Sequence, residues 1–218
     1  MNILKLSLQQ GSLLIKLARR AVFEYLTTGT RITPPKNLPK ELMEKRGVFV
    51  TLRKIIVDEY GVKKWILRGC IGYVFPRLPL AQATINAAIA AATKDPRFTP
   101  LTVSELSQVI FEISILSNPE IIKVSDPSEY PRHIKIGLHG VVVEKGLMRG
   151  VLLPQTAVEY EWDARTFLSQ ACVKAGLPPD SWMLGDIKVY RFNTQIFAEI
   201  EPNGEIIERQ LYLENEER

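Results

Sequence analysis

The segment LAQATINAAIAAATKD, residues 80–95, sets the tightest limit on the fold. Its small and apolar residues suit a helix, and almost no charge interrupts them, so the helix must be covered on most of its faces. Polar Gln82, Thr84 and Asn86 break the run well short of the roughly 18 to 20 apolar residues that cross a bilayer. The cover must therefore be protein. A chain of 218 residues with 46% hydrophobic content is long enough to supply it without disulfide or metal staples. Asp95-Pro96 stops the helix, because proline disfavours helical geometry in the residue before it.

Around this helix the sequence predicts a mixed α+β fold with antiparallel sheet. Leu14, Leu17, Ala18, Ala21, Val22 and Tyr25 recur every three or four residues and line one face of a helix over 8–27, while Lys16, Arg19, Arg20 and Glu24 lie toward the other. TRITPPKNLPK carries three prolines and reads as an ordered loop or a short linker. GVFVTL and WILR flank the turn-like Asp58-Glu59-Tyr60-Gly61, which predicts a hairpin of strands at 47–56 and 65–73. Thr102-Val103-Ser104-Glu105 has capping-box spacing. Further strands are expected at 109–116, 134–143 and 187–200, with Phe111, Ile113 and Ile115 opposite Glu112 and Ser114. Asp163 reads as the N-cap of a helix over 164–175, which Gly176 and Pro178-Pro179 end. Leu67, Ile71, Ile89, Phe111, Ile113, Leu138, Phe167 and Phe197 are the expected core, and Glu214, Glu216, Glu217 and Arg218 an acidic tail.

Charge and cysteine content narrow the function classes. The balance of 28 basic against 24 acidic residues, net +4, is spread along the chain and gives nucleic acid no particular support. Cys70 and Cys172 have neither CxxC nor metal-ligand spacing, and a secreted disulfide scaffold would use more cysteines, so a reducing cytoplasm is the expected setting. The scattered charges near the N-terminus do not suit a signal peptide, and the chain is read as mature from Met1. No Walker loop, HExxH or paired-cysteine site is present, and no cofactor or metal is called for.

LRGCIG, residues 67–72, is the segment that asks for a role. If the strand stays regular, Arg68 and Cys70 share a face. Glycines on either side of the cysteine point to a bulge, a turn or a close backbone approach. One reading is catalytic: Cys70 as a thiol nucleophile, Arg68 favouring the thiolate, His139 as base and Glu112 orienting the imidazole. A second is binding, with Arg68 and the amides around Gly69 and Gly72 cradling an anionic or carbonyl-bearing ligand while Lys64 and Arg77 add attraction. Gln155 joins that set because a polar group amid apolar neighbours needs a partner when buried. A third is a scaffold that docks a partner through Phe75, Leu78, Met148 or Trp182. Each residue also has a packing role open to it: Cys70 as a small buried hydrophobe, His139 as a satisfied strand histidine, Glu112 in an ion pair with Arg68.

GVFVTL, LRGCIGYVFPRLPL, DPRF, EISILS, GLHGVVVEKG, GVLLPQTAVEYEW and FLSQACVKAGLPPDSW, in that order from about residue 7 to 200, resemble the AMMECR family. Thr156 stands where valine is more usual. The resemblance implies one AMMECR-type domain of two unequal lobes across 1–218, with LRGCIG near a cleft and 201–218 as a C-terminal extension. It also implies company, since similar domains in many prokaryotes are encoded beside, or fused to, Memo-like and radical-SAM proteins. It brings no settled activity with it.

Overall fold

The computed structural model describes residues 5–57 and 59–211. Asp58 of the expected turn and Glu214, Glu216, Glu217 and Arg218 of the expected acidic tail lie outside the described residues. The chain divides into two compact units, one of Met1–Ile115 with Gln195–Arg209 and one of Leu116–Thr194 with Gln210–Arg218.

The first unit is built on helices α1 (Leu8–Thr28) and α2 (Leu80–Thr93) and on strands β1 (Gly47–Val57), β2 (Lys63–Tyr73) and β3 (Val109–Leu116). Ser7 and Gln10 cap α1 reciprocally, and Gly29 closes it at φ 72°. Ten of the fourteen residues of α2 are buried, among them Ile85 and Ile89, and they pack on α1, β1 and β2. The helix without charges is thus the centre of this unit's core, which also holds Phe111, Ile113 and Phe197. All eight residues of β3 are buried, so the polar face expected for Glu112 and Ser114 does not meet solvent. Arg19, expected on the outer face of α1, lies against Glu199 instead. Its Nε and Nη2 donate to the carboxylate at 2.9 and 2.6 Å, and its Nη1 and Nη2 reach the carbonyls of Leu106 and Val109.

The second unit contains β4 (Glu120–Ile121), β5 (His139–Lys145), β6 (Met148–Leu152), α3 (Pro154–Glu159) and α4 (Ala164–Lys174), and it shares β7 (Lys188–Glu199) with the first. Its core gathers Val141, Val143, Phe167, Leu168, Cys172 and Trp182. Asp163 caps α4, accepting from the Thr166 amide at 2.7 Å. β7 pairs with β5 and β4 here, and with β8 (Ile206–Arg209) in the first unit. Every pairing whose register is described is antiparallel.

Several further expectations are corrected. The strand expected at 134–143 starts only at His139. A 3-10 turn over Pro127–His133 leads into a second turn, in which Leu138 and His139 both donate to the Lys135 carbonyl and Gly137 adopts φ 80°. The Ile134-Ile136-Leu138 alternation therefore mimics a strand. Ile134 and Ile136 still pack on the core, but Leu138 is exposed. Leu67 and Ile71 are only half-buried, Ile71 packing against the core from its edge. Finally, the segment after residue 200 is not all extension, because β8 adds a strand to β7.

Candidate functional site

LRGCIG occupies the second half of β2, and a bulge interrupts it. Leu52 pairs with Gly69 and Arg53 with Leu67, so Arg68 is the extra residue outside the ladder. Simple alternation through Arg68 and Cys70 is lost at that point. Both glycines answer a close approach. A Cβ on Gly69 would sit 2.2 Å from the Ala91 carbonyl oxygen of α2, and one on Gly72 would meet the Phe49 ring and the Val48 carbonyl at 2.3 Å.

Four partners fix what the bulge presents. The Cys70 amide donates to Oδ2 of Asp95 at 2.8 Å, and the Thr51 hydroxyl, opposite on β1, donates to Cys70 Sγ at 3.3 Å. Cys70 itself is half-buried and carries no disulfide. Arg68 turns to Glu105, donating from Nε and Nη2 at 3.2 Å each, while its Nη1 reaches the Thr99 carbonyl at 3.0 Å. The same carboxylate accepts the Thr102 amide, and Thr102 Oγ1 accepts the Glu105 amide, so the capping box predicted from sequence exists. The Arg68 hydrogen bond is the main reason that the Glu105 carboxyl is held below its ordinary pKa, against the opposing effect of burial.

DPRF completes the arrangement. Burial alone would raise the Asp95 pKa, yet hydrogen bonds from the Arg97 side chain and from the Cys70 and Arg97 amides lower it to about 2. Arg97 meets Asp95 with Nε at 2.9 Å and Nη2 at 2.7 Å. The guanidinium groups of Arg68 and Arg97 both lie over the Phe98 ring, at 5.9 and 5.5 Å. Asp95, Thr51 and Glu105 are the residues that sequence reasoning misses. In sequence DPRF reads only as a helix stop, although an aspartate buried after an uncharged helix signals a fixed partner.

The remaining candidates have local work. Glu112, 1% exposed, accepts from Arg209 Nη1 of β8 at 2.6 Å. In the second unit His139 Nδ1 accepts the Lys135 amide at 3.0 Å, which leaves the ring proton on the other nitrogen. Burial, then the charges of Arg191 and Lys135, push the His139 pKa below its ordinary value, while a hydrogen bond to the His133 carbonyl opposes them. Gln155 is buried at the second position of α3. Cys70, Arg68, Gly69, Gly72 and Glu112 thus belong to the first unit, and His139 and Gln155 to the second. Lys64 and Arg77 are exposed. Of the suggested docking residues, Leu78 and Met148 are exposed, Phe75 is half-buried, and Trp182 is buried with its indole N–H on Ser169 Oγ. Among the described residues no group of three or more His, Cys, Asp or Glu is placed to hold a metal, and no helix is long and apolar enough to cross a membrane.

The solved structure of protein PH0010 from Pyrococcus horikoshii superposes with a TM-score of 0.87 at 49% identity, covering 93% of this chain and 98% of that one. A protein of Thermofilum pendens is 54% identical over 208 residues, 95% of this chain and 98% of its own length. Protein MJ0810 of Methanocaldococcus jannaschii is 48% identical over 206 residues, 94% of this chain and 98% of its own. The sequence profile of the AMMECR1 family matches residues 15–197. The chain belongs to the AMMECR1 family.

Proposed function

We propose that LRGCIG is a ligand-binding site at which the Cys70 thiol faces a small carbonyl-bearing ligand. The observation that carries this reading is the double hold on Cys70: its amide on Asp95, its sulfur under the Thr51 hydroxyl, and its side chain only half-buried. A cysteine kept merely for packing needs neither hold. Arg68 argues for a carbonyl group over a free anion, because its charge is already met by Glu105. A general base must have a lone pair to spend, and the Nδ1 lone pair of His139 is spent on Lys135, which favours binding over thiol catalysis with that histidine. The Memo-like and radical-SAM partners implied by the resemblance belong to the same proposal, as sources or acceptors of the ligand.

The experiment is protection of Cys70 from iodoacetamide, read by mass spectrometry at each cysteine, with a panel of small aldehydes, 2-oxo acids and amides. Cys172 is 0% exposed, and burial raises its thiol pKa, so the native protein needs no background substitution. The reading expects at least one carbonyl compound to slow Cys70 alkylation saturably, and to do so less well in Asp95→Asn. No protection by any compound, with Cys70 itself freely alkylated, would overturn it.

A further inference from the structure

A concave surface lies in the first unit, lined by none of the residues of LRGCIG. It is a groove of about 490 Å³ with α1 as one wall, the 3-10 turn Ser104–Gln108 and the residue before it as another, and the β7–β8 turn at its rim. Lys16, Arg19, Arg20 and Phe23 line the α1 wall, at the i, i+3, i+4 and i+7 spacing of one helix face. Phe23 and Val103 are 45% and 44% exposed, an apolar pair open to solvent on opposite walls.

The three cations of this face are not equivalent. Arg19 is held by the Glu199 carboxylate and two carbonyls, so its charge is already met within the fold. Lys16 and Arg20 are exposed, and among the described residues neither has an ion pair or hydrogen bond. Two uncompensated positive charges thus stand beside exposed aromatic and aliphatic surface. Asn203, at φ 59°, adds a polar residue to the lining. The volume falls within the roughly 300 to 1,000 Å³ of small-molecule sites. Positive charge next to a flat apolar wall selects an anion that carries an apolar body.

We propose that this groove binds a small organic anion, an aryl or acyl carboxylate, sulfonate or phosphate, whose charged group meets Lys16 and Arg20 and whose body packs on Phe23 and Val103. Arg19 and Glu199 position the wall and do not touch the ligand's charge. The residues that line this groove are not those of the LRGCIG site, although Glu105, the partner of Arg68, belongs to the 3-10 turn that forms one wall.

The test is a fluorescence titration with anilinonaphthalene sulfonate on the full chain, compared with its neutral parent anilinonaphthalene and with a decameric poly-glutamate competitor. Binding of the sulfonate should weaken at least about tenfold, or 1.4 kcal/mol, in Lys16→Gln/Arg20→Gln. It should weaken similarly in Phe23→Ser and be unchanged in Lys36→Gln, whose side chain is exposed elsewhere. Urea midpoints equal to wild type certify that the exposed substitutions leave the fold intact, and Lys16→Gln alone serves if the double variant is destabilised. Three results would overturn the proposal: affinity within twofold of wild type in the charge and Phe23 variants, equal binding of the neutral parent, or tighter binding of poly-glutamate than of the sulfonate. The last would make the groove a dock for acidic peptide.

Discussion

Asp95 offers the sharpest test of how the LRGCIG strand is held. Its side chain is 2% exposed, and its two oxygens accept from the Cys70 amide, the Arg97 amide and two guanidinium nitrogens of Arg97. Its pKa falls from 3.8 to about 2. At 1.36 kcal/mol per unit, that shift of nearly two units corresponds to about 2 kcal/mol of stability. The folded-state value lies below the unfolded one, so this contribution is complete above about pH 4 and is lost as the pH falls through about 2. Asp95→Asn removes the charge and keeps the shape. Urea unfolding of both proteins should show a difference of about 2 kcal/mol at neutral pH, shrinking toward zero near pH 2, because other carboxylates titrate alike in each and cancel. Arg97→Met should remove much of the same pH-dependent part. A penalty for Asp95→Asn that is equal at pH 7 and pH 2, or absent at pH 7, would refute the reasoning.

Three further outcomes follow from particular contacts. Gly69→Ala drives a Cβ to 2.2 Å from the backbone of α2, so strand and helix must separate, at a cost of about 1 to 3 kcal/mol read from the urea midpoint. Arg209→Met takes the cation from a carboxylate that is 1% exposed and should destabilise by about 2 to 3 kcal/mol, with Cys70 alkylation unchanged if Glu112 is structural. The His139 ring should titrate below 6.5 by NMR, and Arg191→Met should move it upward; its contribution to stability is full above pH 6.5 and is lost as the pH falls from there through the lower folded value, because the unfolded chain takes up a proton that the half-buried ring resists.

What the sequence disclosed, and what it hid, has a physical pattern. α2 was legible because a helix without charge has no choice but burial, and α1 and α4 because their periodicity and Asp163 are local signals. The bulge at Arg68 was foreshadowed by the flanking glycines, but which residue leaves the ladder depends on β1. Glu112 reads from sequence only as a residue of the non-apolar face, open to His139 or Arg68, because alternation cannot show that the far side of β3 is covered or that Arg209 is the partner there. Residues 134–138 read as part of a strand because Ile134, Ile136 and Leu138 alternate, whereas Gly137 and the bonds to Lys135 make a turn of them and the strand begins at His139. Arg19 shows the same limit: helical phase placed it outside, and a partner 180 residues away drew it in.

The central claim is that Thr51 and Asp95, and not His139, present a ligand-facing Cys70. The direct measurement is the iodoacetamide rate at each cysteine of the native protein, by mass spectrometry, in wild type, Thr51→Val and His139→Ala. The account predicts that Cys70 alkylates at least about tenfold faster than buried Cys172, that Thr51→Val changes the Cys70 rate, and that His139→Ala leaves it alone. A Cys70 as slow as Cys172, or a Cys70 rate that collapses in His139→Ala and ignores Thr51→Val, would contradict it.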